Sequence, residues 1–177
     1  SGRAIAEKMD AQVFNLFNSV STNSVGTEDS PLTVDLFFDA VQKLRSAKVT
    51  GPLFAVVSPR QALQMKKLLS NSASSPSSAE ISNSILREYY IGSLAGAQIF
   101  ESSLVKQDLD TDSDSEVNAV GCVFAKSAFG HAQRGPLAIN TQYQTAERAT
   151  DLMVSAVVGQ AILQDTHACK LVSSNTD

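Results

Sequence analysis

The feature that most constrains the fold is a short, uninterrupted apolar run, Leu53–Val57, which ends at Ser58-Pro59. An apolar run of this length without polar alternation predicts a β-strand that is covered on both faces. Ser58 is a favourable helix N-cap and Pro59 fits the first helical position, so a helix is expected to follow directly. In that helix the sequence predicts inward positions for Leu63, Met65, Leu68 and Leu69, and outward positions for Lys66 and Lys67.

Two further helices are predicted closer to Ser1. In residues 4–18, apolar side chains recur at every fourth position, at Ile5, Met9, Val13 and Phe17. No capping signal precedes this helix, so the natural N-terminus is expected to lie upstream of Ser1. A second helix is expected after the N-cap residue Thr33, with the apolar stripe Leu36, Phe37, Ala40, Val41 and Leu44.

The second half of the chain is dominated by predicted strands. Apolar or alternating segments occupy residues 98–102, 117–124, 137–143, 151–163 and 168–172, and residues 126–133 are expected to form a short helix. Residues 19–30, the Ser-rich stretch 71–84 and the acidic stretch 108–116 are expected to be loops. Helices interleaved with strands and then a run of strands indicate an α+β or mixed α/β fold.

Composition limits the class of protein. The chain has 177 residues, of which 43% are hydrophobic, so one domain with a substantial core is expected. Its formal net charge of −4 argues against a dedicated nucleic-acid-binding surface. Apolar runs are interrupted well before the ~20 residues that a bilayer span needs, so we expect a soluble protein made in a reducing cytoplasm.

The acidic stretch invites a comparison with calcium loops, because Asp108, Asp110, Asp112 and Asp114 alternate along it. An EF-hand loop needs Gly at its sixth position and Glu at its twelfth. Counted from Asp108, those positions hold Ser113 and Ala119. We therefore expect a solvated, self-repelling loop, with an incidental weak cation site as the alternative.

Cysteine and histidine chemistry is sparse. Cys122 and Cys169 are expected to be either reduced core residues or one disulfide. Together with His131 and His167 they are the candidate zinc ligands, but their spacing matches no usual structural zinc pattern. Nucleophile-elbow, P-loop and dinucleotide-binding motifs are missing from the sequence, so no catalytic, cofactor-binding or metal-binding residue is assigned.

The order of several segments carries a resemblance to a known family. These segments are the helix with Ala4, Met9 and Asp10; residues 54–59 followed by a Leu-rich helix; Ile91-Gly92 with Gly96 and Ile99; residues 124–130; and residues 151–165 with Gly159. In this order they resemble the later part of a tailed-phage major capsid protein with the HK97-like fold. In that family, residues 124–130 correspond to the passage into a second short helix, and residues 151–165 to a long strand pair.

The resemblance implies an architecture. Residues 1–30 would be the end of a spine-type helix with the incoming loop. Residues 31–145 would form the axial domain, a sheet flanked by helices. Residues 146–177 would be the return strands of the peripheral domain.

The resemblance also implies a role. The chain would be a non-enzymatic subunit of an icosahedral double-stranded DNA phage capsid, assembling into pentamers and hexamers around the packaged genome. Its partners would be copies of itself, scaffold, portal and decoration proteins, and DNA through non-specific contact. It would be made in the host cytoplasm and would reside in the virion without contacting a membrane or a cofactor.

Two alternatives stay open. Encapsulin nanocompartments share the fold, so the shell could be an encapsulin-like one. The chain could also belong to a monomeric enzyme or binding domain whose site lies upstream of Ser1.

Overall fold

The computed structural model describes residues 2–70, 85, 88, 91–108, 117–144 and 149–175. The helices of this part are α1 (Gly2–Asn15), α2 (Val34–Ser46) and α3 (Pro59–Ser70), and 3₁₀ turns lie at Leu16–Ser19 and Asp165–His167. The strands are β1 (Ser24–Val25), β2 (Leu53–Val57), β3 (Ser93–Leu94), β4 (Ala97–Glu101), β5 (Asn118–Ala125), β6 (Phe129–Gln144), β7 (Ala149–Ile162) and β8 (Ala168–Ser174). The Ser-rich loop predicted at residues 71–84 lies outside the described residues.

Six strands form a mixed sheet in the order β1-β8-β5-β2-β4-β3. The pairs β1–β8 and β2–β4 are parallel, and the other three pairs are antiparallel. The α+β prediction is confirmed, as are the strands predicted at residues 98–102, 117–124 and 168–172. The loop predicted at residues 19–30 contributes the short edge strand β1.

Strand β2 is covered on both faces of the sheet, as predicted from its apolar run. Leu53, Ala55 and Val57 lie in a core that also contains the apolar stripe of α2. Val56 points to the opposite face, into a second core. A strand between two apolar layers needs no polar alternation, and this explains the continuous hydrophobic sequence.

Helix α2 begins and ends with specific capping contacts. The Thr33 hydroxyl accepts a hydrogen bond from the Leu36 amide at 3.2 Å, as predicted for an N-cap. At the other end Lys48 adopts a left-handed conformation with φ of 61°. The Val49 amide then donates to the Leu44 carbonyl at 3.2 Å, which completes a Schellman motif without glycine.

The prediction for helix α3 is only partly right. Its N-cap at Ser58 and its buried Met65 are confirmed. Lys66, however, is buried, because its ammonium group pairs with the Glu101 carboxylate at 2.9 Å. Leu68, predicted to face inward, is 48% exposed. The inward stripe includes residues 61, 62, 65 and 66, so it is displaced from the leucines.

Strands β6 and β7 form a separate two-stranded hairpin, paired from Phe129 with Ile162 to Gln144 with Ala149. At about 3.3 Å per residue this hairpin is about 45 Å long. The short helix predicted at residues 126–133 is wrong, because a turn in which the Ala128 amide binds the Ala125 carbonyl leads directly into β6. The strand pair expected within residues 151–165 therefore begins at Phe129, and residues 151–162 supply one of its strands.

A cluster of aromatic rings joins the hairpin to the sheet. Phe17 follows α1, and its ring centroid lies 5.5, 5.8 and 5.6 Å from those of Phe14, Phe124 and Phe129. These rings belong to the core on the sheet face opposite α2. The end of α1, strand β5 and the start of β6 are thus held by one apolar contact.

No helix among the described residues is long and apolar enough to cross a membrane.

Candidate interaction surface of the hairpin

The hairpin presents long strand edges. In the part of the chain that the structure describes, β6 and β7 pair only with each other. A two-stranded hairpin is marginally stable in isolation, and its unpaired backbone groups form a template for further contacts. Helix α1 packs against β7. The strand edges make the hairpin the leading candidate for an interaction surface.

A groove of about 450 Å³ lies between α1 and β7. It is lined by Ile5, Lys8, Met9 and Gln12 from the helix and by Ser155, Val157 and Val158 from the strand. Val157 is 64% exposed although it belongs to an apolar run. The groove therefore combines exposed apolar surface with a small number of polar groups. Sequence alternation alone assigned Ser155, Val157 and Val158 to a strand, but it did not show that they line an open groove.

Asp165 fixes the junction between the hairpin and the segment after α1. Its carboxylate accepts hydrogen bonds from the Ser21 amide at 3.1 Å, the Ser21 hydroxyl at 3.0 Å and the Thr22 amide at 2.7 Å, and also from the Thr22 hydroxyl. These donors, led by the Thr22 hydroxyl, lower the pKa of Asp165 below its usual value. Burial opposes this lowering of the pKa but is outweighed. Sequence reasoning missed this contact, because its partners are far apart along the chain.

A buried amide stabilises the face of the sheet beneath α3. The Gln61 side chain accepts from the Ser58 amide at 3.2 Å, while the Ser58 hydroxyl accepts from the Gln61 amide at 3.2 Å. This reciprocal pair is a capping box. The Gln61 amide group also donates to the carbonyls of Ala119, at 3.3 Å, and Leu171, at 3.1 Å. The spacing Ser-Pro-Arg-Gln could have indicated the capping box, but not its contacts with β5 and β8.

The two cysteines are core residues rather than a disulfide. Both thiols are free, and Cys122 and Cys169 lie in the two different cores, on opposite faces of the sheet. Burial raises the pKa of Cys122 well above its usual value and raises the pKa of Cys169 to about 11. The disulfide alternative is therefore wrong, and the thiols are protonated at neutral pH.

The four candidate zinc ligands are not brought together. His167 lies in a 3₁₀ turn that precedes β8, the strand of Cys169, and its Nδ1 is 2.5 Å from the Ser127 hydroxyl. His131 is exposed on β6, with Nδ1 3.4 Å from the Gln160 side-chain nitrogen. Among the described residues, no three His, Cys, Asp or Glu side chains are grouped to hold a metal ion.

Only the first residue of the predicted acidic loop is described. The Asp108 side chain is 84% exposed, and one of its oxygens lies 4.0 Å from the Lys106 ammonium nitrogen. Asp110, Asp112 and Asp114 lie outside the described residues. The choice between a solvated loop and a weak cation site thus stays a prediction.

Comparison with known proteins gives matches to the structure of the chain but not to its sequence. No family model and no curated protein matches the sequence. The structure, however, matches a chain from Mycobacterium phage Che8 over 98% of this chain, with a TM-score of 0.72 and 21% identity. It matches a chain in the capsid structure of cyanophage P-SCSP1u over 99%, with a TM-score of 0.69 and 16% identity. The chain has the HK97-like fold of tailed-phage major capsid proteins.

The HK97-like fold is not restricted to phages. A chain of the SrpI encapsulin complex from Synechococcus elongatus matches over 98% of this chain, with a TM-score of 0.62 and 13% identity. This chain spans 60% of the length of the Che8 chain, 64% of the cyanophage chain and 62% of the encapsulin chain. The matches therefore cover almost all of this chain but between 60% and 64% of the length of these three chains.

The segment with Gly92 and Gly96, one of those that carry the resemblance, contains a tight turn. Gly92 and Gly96 have φ values of 77° and 80°, and Ala95 also has a positive φ, of 53°. Successive positive φ values at Ala95 and Gly96 are those of a type I′ hairpin turn. This turn joins the edge strand β3 to β4, which begins directly after Gly96 and pairs with both β3 and β2.

Proposed function

We propose that this chain is a structural subunit of an icosahedral double-stranded DNA phage capsid, and that it assembles into pentamers and hexamers around the genome. The observation that carries the proposal is the match of 98% of the chain to phage chains with the HK97-like fold. Its activity would be assembly rather than catalysis. Its location would be the virion, after synthesis in the host cytoplasm.

The physical features of the hairpin support this role. Subunits in a ring meet through heterologous contacts, in which one surface meets a different surface of the neighbour. Obligate contacts of this kind commonly bury ~2,000 Å² or more. A hairpin about 45 Å long, with open edges and an apolar groove, offers a large contact area away from the sheet.

We further propose a division into an axial and a peripheral unit. The six-stranded sheet with α2 and α3 would form the axial unit. The division expected from the resemblance placed its boundary at residues 145/146. The separate hairpin Phe129–Ile162, with α1 packed on β7, favours assigning the whole hairpin to the peripheral unit and β8 to the axial unit.

The remaining partners follow from the proposed role. Scaffold, portal and decoration proteins would contact the shell, and packaged DNA would contact its inner surface without sequence specificity. A formal net charge of −4 fits such loose contact better than a dedicated DNA-binding surface.

The test is assembly of the protein, expressed with and without a candidate scaffold protein. Light scattering and negative-stain microscopy should show rings or closed shells when scaffold is present. A discrete monomer under both conditions that turns over a small compound would refute the proposal and favour the monomeric alternative.

A second candidate is an encapsulin-like shell, which the match to the SrpI encapsulin favours. The two shells differ in their contents. Particles isolated from the organism that encodes the chain should contain nuclease-resistant double-stranded DNA if they are capsids. A protein cargo in place of DNA would favour the encapsulin.

A further inference from the structure

We propose that the β6–β7 hairpin contains a hinge at residues 135–137 and Ala156. The distal half, 138–144 with 149–155, would change its angle to the proximal half, 129–134 with 157–162. This movement would widen or narrow the groove beneath α1. The hinge is a property of the chain itself and does not depend on the proposed shell function.

The first observation is an interruption of the strand ladder. Arg134 is opposite Val157 and the next regular pair is Ala138 with Ser155. Between these pairs β6 has three residues and β7 has one, Ala156. Such a bulge disrupts the regular cross-strand hydrogen bonds and bends the strand locally. In a two-stranded hairpin no third strand compensates for the loss.

The second observation concerns the residues of the bulge. Gly135 has φ of 77°, and a Cβ placed there would meet no atom within 4 Å. Pro136 follows and has no amide hydrogen to donate to the ladder. A glycine in a left-handed conformation, followed by a residue that cannot donate to the ladder, favours a change of angle at this point.

The third observation is the position of the groove. Two of its strand-side residues, Ser155 and Val157, flank the interruption on β7. They line the groove together with Ile5 and Met9 of α1. A displacement of the distal half would move Ser155 relative to Val157 and would therefore change the shape of the groove.

The base of the hairpin, by contrast, is fixed. Phe129 packs against Phe124 with ring centroids 5.2 Å apart. A Cβ on Gly130 would lie 2.9 Å from a Leu163 methyl carbon, so Leu163 covers the backbone there. Asp165 holds the following turn through Ser21. A change of angle is thus expected at the interruption rather than at the junction with the sheet.

The test is a distance measurement between spin labels on introduced cysteines. The native thiols of Cys122 and Cys169 are buried and will not compete for the label. One label is placed at Lys67→Cys on α3, and the second either at His131→Cys in the proximal half or at Gln142→Cys in the distal half. The distal pair should give the broader distance distribution.

The matched variant lacks Gly135 and Pro136. This deletion leaves one residue opposite Ala156 and, because two residues are removed, keeps every side chain on its original face. The distal distribution should narrow to the width of the proximal one. Equal widths in the parent, or an unchanged distal width in a folded deletion variant, would overturn the proposal.

Hydrogen exchange tests the same hinge without a deletion. The amides of Arg134, Gly135, Leu137 and Ala156 should exchange faster than those of residues 131–133 and 158–160 in the parent chain. Uniform exchange along the hairpin would contradict the hinge even if the deletion variant failed to fold.

Discussion

Replacing Gln61 with alanine tests whether the buried amide holds α3 to the sheet. Gln61 is fully buried and makes three side-chain hydrogen bonds, to the Ser58 amide and to the carbonyls of Ala119 and Leu171. The variant leaves the buried Ser58 amide without this acceptor, which should lower the free energy of unfolding by about 2 kcal/mol. It also removes one buried methylene group, at about 0.8 kcal/mol. We therefore expect Gln61→Ala to lower the free energy of unfolding by about 3 kcal/mol.

The assay is urea unfolding followed by circular dichroism, because the chain has no Trp. Gln42→Ala is the matched control, since Gln42 is exposed and bonds only locally to Ser46 at 2.8 Å. The control should change stability by less than about 0.5 kcal/mol. A loss below about 1 kcal/mol for Gln61→Ala, similar to the control, would refute the reasoning.

A double-mutant cycle with Gly121 extends the test. A Cβ on Gly121 would lie 2.6 Å from the Gln61 side-chain oxygen and 2.8 Å from the Val56 carbonyl oxygen. Gly121→Ala should therefore be strongly destabilising. The double variant should lose less stability than the sum of the single losses, because Gln61→Ala removes one of the two clashes. Additive losses would show that Gln61 does not contact Gly121 closely.

Three further predictions concern a helix end, an acidic turn and a buried ion pair. Lys48→Gly should raise the free energy of unfolding by about 1 kcal/mol, because glycine adopts the positive φ without strain; unchanged urea midpoints would contradict this. Asp165→Asn should lower stability by about 1 kcal/mol at neutral pH through the weakened hydrogen bonds. Folding lowers the pKa of Asp165 from 3.8, so the ionised carboxylate stabilises the folded chain above pH 3.8. This stabilisation is lost as the pH falls through the folded pKa, so the stabilities of the variant and the parent chain should become equal in acid. Lys66→Met should lower the free energy of unfolding by about 1–2 kcal/mol, because Lys66 is buried and paired with Glu101. The control Lys67→Met should leave it almost unchanged, since Lys67 is exposed. Equal effects of the two substitutions in thermal unfolding would show that the pair with Glu101 contributes nothing to stability.

Local signals in the sequence determined several elements correctly. The Thr33 cap and the apolar stripe of α2 gave both the start and the buried face of that helix. The continuous run Leu53–Val57 predicted a strand buried on both faces, because a run of strand length that is covered on both sides needs no polar alternation. These predictions depend on neighbours in sequence, which periodicity describes well.

Contacts between distant segments were not accessible in the same way. The burial of Lys66 depends on Glu101, and its long apolar stem allows a position that its charge alone argues against. The Schellman end of α2 was hidden because Lys48 occupies the position usually held by glycine. The pairing of Phe129 with Ile162 overrode the helix predicted from local sequence.

The candidate interaction surface illustrates the same limit. Val157 belongs to an alternating apolar segment that resembles the core strands, yet its side chain is 64% exposed. Whether such a residue is buried depends on how many layers cover its strand, and sequence pattern does not give that number. The exposed groove could therefore be found only after the hairpin and α1 were placed.

The two sheets differ in how far the chain itself stabilises them. The six-stranded sheet buries side chains on both faces and is tied together by Gln61, so its stability should be largely independent of assembly. The hairpin has two strands, open edges and the partly exposed groove against α1, and a hairpin of this kind gains little from its own contacts. Contacts with neighbouring subunits would therefore act chiefly on the hairpin. On the proposed function, assembly should protect the amides of β6 and β7 from hydrogen exchange far more than those of β5 and β8.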